Sequence, residues 1–123
     1  MQAKILIIDD EPHIVKLVAS RLEANGYDTI IASGGEEGLD KAARDKPDLI
    51  LLDVLMPGID GHQTLRELKA RDETRMIPVI MFTAKGQLED VEKAHEMGAV
   101  DYIVKPFNPV TLMEKISKTL GKR

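Results

Sequence analysis

Four short apolar runs, Ile5-Leu6-Ile7-Ile8, Leu49-Ile50-Leu51-Leu52, Val79-Ile80-Met81-Phe82 and Tyr102-Ile103-Val104, lack any polar alternation, and this constrains the fold more than any other feature of the 123-residue chain. A strand with one wet face alternates; a strand covered on both faces does not. The runs therefore predict a parallel sheet with a layer of helices on each side. A weaker run, Thr29-Ile30-Ile31-Ala32, predicts a fifth strand nearer an edge.

Helix-period segments separate the runs. Ile14, Leu17, Val18 and Leu22 form a stripe with Pro12 near the first turn and Asn25-Gly26 at the end, which are start and stop signals. Ser33-Gly34-Gly35-Glu36 has capping-box spacing ahead of Leu39, Ala42 and Ala43. Further helices are expected over about 61–70 and 87–97, and Asn108-Pro109 opens a last one carrying Val110, Met113, Ile116 and Leu120. The order is βα repeated five times. Right-handed crossovers then give a doubly wound, five-stranded parallel sheet, and the compact order is 2-1-3-4-5, a flavodoxin-like (βα)5 arrangement. No linker or repeat marks a second domain, so residues 1–123 are expected to form one unit without an output domain.

Composition removes several function classes. A formal net charge of −4, with two Phe, two Tyr and interspersed signs, is unlike a basic, aromatic nucleic-acid surface. The cations between Lys115 and Arg123 suit the end of a final helix. The absence of cysteine excludes disulfides and fits a reducing compartment, so the cytoplasm is expected. No apolar run approaches the length of a membrane span. A chain of this size buries roughly two thirds of its unfolded surface, so a metal would serve chemistry and not folding.

The strand ends carry that chemistry. Asp9 and Asp10 follow strand one, Asp53 strand three, Thr83 strand four and Lys105 strand five. In the proposed order these strands are neighbours, so the residues converge at the edge where open α/β sheets bind ligands. Singly, each has a plain explanation: a cap at Asp9-Asp10, a turn at Asp53, a cap at Thr83, a strand-end charge at Lys105. Together they describe a site for a hard cation, and Mg²⁺ suits an incomplete oxygen site that shares positions with a phosphate. His13, His62 and His95 fall on different segments and are read as surface or packing residues. Asp53 is then the candidate nucleophile for a phosphoryl group, with Lys105 and Thr83 contacting its oxygens.

These residues resemble the response-regulator receiver family, of which the single-domain chemotaxis regulator is the simplest type. The resemblance rests on Ile8-Asp9-Asp10-Glu11, on 53–61 (Asp-Val-Leu-Met-Pro-Gly-Ile-Asp-Gly), on Phe82-Thr83-Ala84 and on 98–107, and it covers nearly the whole chain. It implies phosphorylation of Asp53 by a sensor histidine kinase or phosphotransfer protein, a reaction the receiver itself helps to catalyse. It further implies Mg²⁺ held by Asp10 and Asp53 directly, by Asp9 through a water and by the carbonyl of Leu55. A cis bond at Lys105-Pro106 and a switch in which Thr83 moves toward the phosphoryl group while Tyr102 rotates inward are also implied. Output would be a changed surface over the fourth helix, fifth strand and fifth helix, read by a protein partner, with the receiver a monomer or a phosphorylation-dependent dimer. Leu55, Lys85 and Val100 depart from common family choices, and none removes a catalytic group. A flavodoxin would need a phosphate loop where Asp9-Asp10-Glu11-Pro12 stands, and a haloacid-dehalogenase-type phosphatase would place its nucleophile after strand one. A binding-only receiver would lack an acid or the lysine, and this sequence has them all.

Overall fold

The computed structural model describes residues 2–54, 56, 58–84 and 88–121. Five strands, β1 (Lys4–Ile8), β2 (Asp28–Ala32), β3 (Leu49–Asp53), β4 (Val79–Ala84) and β5 (Asp101–Lys105), alternate with five helices, α1 (Pro12–Ala24), α2 (Gly35–Asp45), α3 (Gly61–Ala70), α4 (Leu88–Glu96) and α5 (Pro109–Gly121). The strands are parallel in the order β2-β1-β3-β4-β5, as the apolar runs predict.

The missing alternation has a direct cause. Leu6, Ile8, Ile50, Leu52, Val79 and Met81 face one way, against Leu39 and Ala42 of α2, Leu65 and Leu68 of α3 and Ala94 of α4. Ile5, Ile7, Leu49, Leu51, Ile80 and Phe82 face the other way, against Val15, Val18, Ala19 and Leu22 of α1 and Leu112 and Ile116 of α5. Every residue of β3 is buried. Such side chains contribute roughly 1.5–3 kcal/mol each when withdrawn from water.

The helix stripes differ from expectation at two positions. Leu17 is 50% exposed and Val110 is 64% exposed. On α1 the sheet-facing side is Val15, Val18, Ala19 and Leu22, which leaves Leu17 on the outer flank. On α5 Leu112 takes the inward place expected for Val110. Ser33 and Glu36 do not form the expected capping box: Gly34 is the N-cap, and the Glu37 carboxylate accepts from the Ser33 backbone N–H (2.7 Å) and hydroxyl (2.9 Å). β5 is an edge strand with Val104 partly exposed, so its run is covered less completely than the other three. Asn108 caps α5, accepting from the Val110 and Thr111 N–H groups at 2.8 and 3.3 Å.

Candidate functional site

Because all five strands run the same way, β1, β3, β4 and β5 deliver their carboxyl ends to one edge. Asp9 follows β1, and its N–H donates to the Ala32 carbonyl of β2 at 3.1 Å, so the chain leaves the sheet in a fixed direction. The Asp9 carboxylate accepts from the Glu11 N–H at 3.0 Å, which holds the turn into α1. Pro12 starts that helix without a side-chain cap. Asp9 and Asp10 therefore act as a loop brace and an outward-facing acid, not as the helix cap.

Asp53 ends β3 in register with Phe82 of β4. The next two bonds lock the segment: the Val54 N–H donates to the Phe82 carbonyl at 3.0 Å, and the Gly61 N–H donates to the Val54 carbonyl at 2.9 Å. A Cβ on Gly61 would collide with the carbonyl oxygen of Asp53, so glycine is required where α3 is drawn against the end of β3. Asp60 caps α3 through the Gln63 N–H at 2.9 Å.

Asp9, Asp10 and Asp53 each present an oxygen within 4.8 Å of the others'. Asp9 and Asp53 are buried while Asp10 is exposed, so the cluster opens to solvent on one side. From β5 the ammonium of Lys105 reaches Asp9 at 2.9 Å, Asp53 at 3.2 Å and Glu11 at 3.2 Å. Burial works against its charge, but the hydrogen bond it donates to Asp9, the charges of Asp53 and Asp9, and the hydrogen bond it donates to Glu11 outweigh it and hold the pKa above the usual lysine value. Lys105 stays protonated throughout the physiological range.

Buried carboxylates at such spacing repel, and one ammonium offsets that repulsion only in part. The donor set is all oxygen, partly solvent-facing and unaccompanied by cysteine, which fits a hard divalent cation with several coordination positions left for water or a phosphate.

Thr83 is buried on β4, opposite Val104 of β5, at the same edge of the sheet. Leu55, whose carbonyl the resemblance assigns to the metal, and Lys85 lie outside the described residues. The Lys105-Pro106 peptide bond is cis. Tyr102 lies on the opposite face of β5 from Lys105, packed beside the cluster that includes Met81 and Ala94. His13 is exposed, with Glu11 at 3.8 Å, and His95 is exposed with Nδ1 at 3.3 Å from the Ala99 carbonyl; neither is in the acidic cluster.

Two features escaped the reading of the sequence. Glu11 joins the contacts of Lys105 across 94 positions of chain, although its place directly after two aspartates was a usable signal. Lys115 of α5 donates to the Tyr102 carbonyl at 2.6 Å and to Asp101 at 3.0 Å, with its ammonium 4.5 Å from the Tyr102 ring centre; nothing in the local pattern marked it.

Comparison with known proteins agrees with this geometry. Residues 5–117 match the response regulator receiver domain family. The chain is 45% identical to the alkaline phosphatase synthesis transcriptional regulatory protein PhoP of Bacillus subtilis, over 99% of this chain and 50% of that protein. It is 39% identical to protein PilH of Pseudomonas aeruginosa, over 97% of this chain and 98% of that one. It thus spans about half the length of several curated relatives and nearly all of another. Among solved structures, the receiver domain of the sensor histidine kinase PA1611 of Pseudomonas aeruginosa PAO1, which has a magnesium ion coordinated in its active-site cleft, superposes with a TM-score of 0.90 at 29% identity, covering 98% of this chain and 99% of that one. The sheet order, the acidic cluster and these matches lead to one conclusion: the chain belongs to the response regulator receiver domain family of two-component signalling.

Proposed function

We propose that Asp53 accepts a phosphoryl group from a sensor histidine kinase or phosphotransfer protein and that the modification alters a protein-binding face of this domain. The observation that carries the reading is the meeting of Asp9, Asp10 and Asp53 with the Lys105 ammonium at the carboxyl edge of the sheet. A carboxylate oxygen of Asp53 forms the new O–P bond as the donor's N–P bond breaks, and the electron pair leaves with the donor imidazole. Mg²⁺, held by Asp10 and Asp53 with Asp9 behind them, would neutralise charge on the equatorial phosphoryl oxygens. Lys105 supplies a fixed positive charge on the other side, and Thr83 supplies a hydroxyl donor. Leu55 would add its carbonyl.

A receiver with this chemistry takes part in its own phosphorylation and hydrolysis but serves as a switch, in the cytoplasm where such donors act. Among the described residues no helix is long and apolar enough to cross a membrane. The output reading centres on Tyr102, which lines a cavity of about 420 Å³ between α4 and β5 together with Met81, Val91 and Ala94. Thr83 moving toward the phosphoryl group would let the ring turn inward and shift the population between two packings. Val100, which lines the same cavity, and exposed Val104 of β5 and Val110 of α5 would give the α4–β5–α5 side apolar surface for a protein partner, and the same side would serve a phosphorylation-dependent dimer.

The test is intact-mass measurement of the chain with acetyl phosphate and Mg²⁺. One phosphoryl group should be gained, and the gain should vanish with Asp53→Asn or with chelator. Undiminished labelling in either case would overturn the acceptor or the metal assignment.

A further inference from the structure

The Lys105 ammonium donates to Asp9 and Glu11 and forms an ion pair with Asp53, and these partners are unequal. The Asp9 and Asp53 side chains are 0% and 7% exposed, whereas that of Glu11 is 45% exposed. Glu11 reaches Lys105 because its backbone is pinned by Asp9 while its side chain makes no capping bond to α1. Its second oxygen lies 3.8 Å from exposed His13, on the solvent side of the cluster. Nothing in the chemistry proposed above uses it.

An ammonium has three donors. The Asp53 contact passes to the phosphoryl group it carries, so for Lys105 to serve a second phosphoryl oxygen it must also release Asp9 or Glu11. Releasing Asp9 would leave a fully buried carboxylate with only the Glu11 N–H on its other oxygen, which is costly; Glu11 can exchange the ammonium for water. Glu11 also places a negative charge at the open side of the site, where an anionic phosphodonor must enter. Both effects act in the same direction.

We propose that Glu11 is a positioning residue for Lys105: it holds the ammonium in a resting, triply paired state and thereby restrains phosphoryl transfer to Asp53 from small anionic donors. The proposal rests on the reading of Asp53 as the acceptor. Glu11 is the partner that yields as the phosphoryl group arrives, and it recaptures the ammonium when Asp53 is free again.

Two variants of the full chain test it. Glu11→Gln removes charge and ion pair together and should raise the rate of labelling by subsaturating acetyl phosphate with Mg²⁺ by roughly two- to fivefold, the range set by a partly exposed ion pair, with the difference narrowing at high salt. Glu11→Asp keeps the charge but is one methylene shorter, and should label faster than the parent and more slowly than Glu11→Gln. A parental rate in Glu11→Asp would reduce the effect to charge and overturn the positioning role. An unchanged or lower rate in Glu11→Gln would overturn the proposal entirely. A second readout needs no phosphorylation: the ¹⁵Nζ NMR signal of Lys105 should shift in both variants without donor or metal, and an unmoved signal would show that no tether exists. If the parent is not labelled while the Lys105 signal moves as stated, the acceptor reading fails and the tether stands.

Discussion

Replacing Asp53 by asparagine should stabilise the metal-free protein, and the size of the gain follows from the cluster. Asp53 presents an oxygen within 4.8 Å of both Asp9 and Asp10, and at an effective dielectric near 20 each repulsion at that distance is about 3.5 kcal/mol. The opposing contact with Lys105, at 3.2 Å, is about 5 kcal/mol on the same scale, but Lys105 keeps Asp9 and Glu11 when Asp53 is neutralised. Asp10 is exposed, so solvent weakens its share. The balance favours asparagine by about 1–2 kcal/mol. At about 4 °C per kcal/mol for a domain of this size, Tm in chelator should rise by about 4–8 °C. Saturating Mg²⁺ should erase the difference, because the cation stabilises the parent by mass action and binds the variant less tightly. Thermal unfolding followed by circular dichroism, with and without metal, is the assay. An equal or lower Tm for Asp53→Asn in chelator would refute the electrostatic reasoning, whatever the labelling experiment gives.

Thr83→Ala should still take a phosphoryl group on Asp53 yet transmit it poorly. With beryllofluoride as the phosphoryl mimic, NMR shifts from α4 through α5 should be clearly smaller than in the parent, and parent-like shifts would remove Thr83 from the switch. Gly61→Ala forces a Cβ onto the Asp53 carbonyl and the Val54 backbone; it should cost about 1–3 kcal/mol by denaturant unfolding and weaken Mg²⁺ binding as α3 is pushed off β3. The Ser33 backbone N–H, the Lys41 side chain and the Ser33 hydroxyl lower the pKa of Glu37 from 4.5 to about 2. Its folded value is depressed, so its contribution is present above pH 4.5 and is lost as pH falls toward about 2. The stability difference between parent and Glu37→Gln should therefore shrink over that window, and because the group is solvent-exposed the difference should be small throughout; a difference that grows on acidification would refute the assignment.

The apolar runs determined the sheet by themselves. A segment such as Leu49-Ile50-Leu51-Leu52 can bury both of its faces only between two helical layers, and that requirement is local to the residues. The strand-end chemistry was legible for a related reason: in a parallel sheet every carboxyl end lies on the same edge, so once the order is known, Asp9, Asp53 and Lys105 must meet there. The sheet-facing side of a helix was less legible. Stripes through Ile14 and Leu17, or through Val15 and Ala19, share Val18 and Leu22, and periodicity cannot choose between them. The choice is made by how α1 is rotated against the sheet, with Val15, Val18, Ala19 and Leu22 turned inward against Ile5, Ile7 and Leu51. Glu37, not Glu36, bonds Ser33 because Gly34 begins the helix one position later than the spacing implied. Tertiary structure alone decided the pairing of Lys105 with Glu11 and of Lys115 with Tyr102. Each depends on where a long, flexible side chain ends after two distant segments have been packed, a quantity fixed by the competing carboxylates, carbonyls and ring faces around it and by no pattern within either segment.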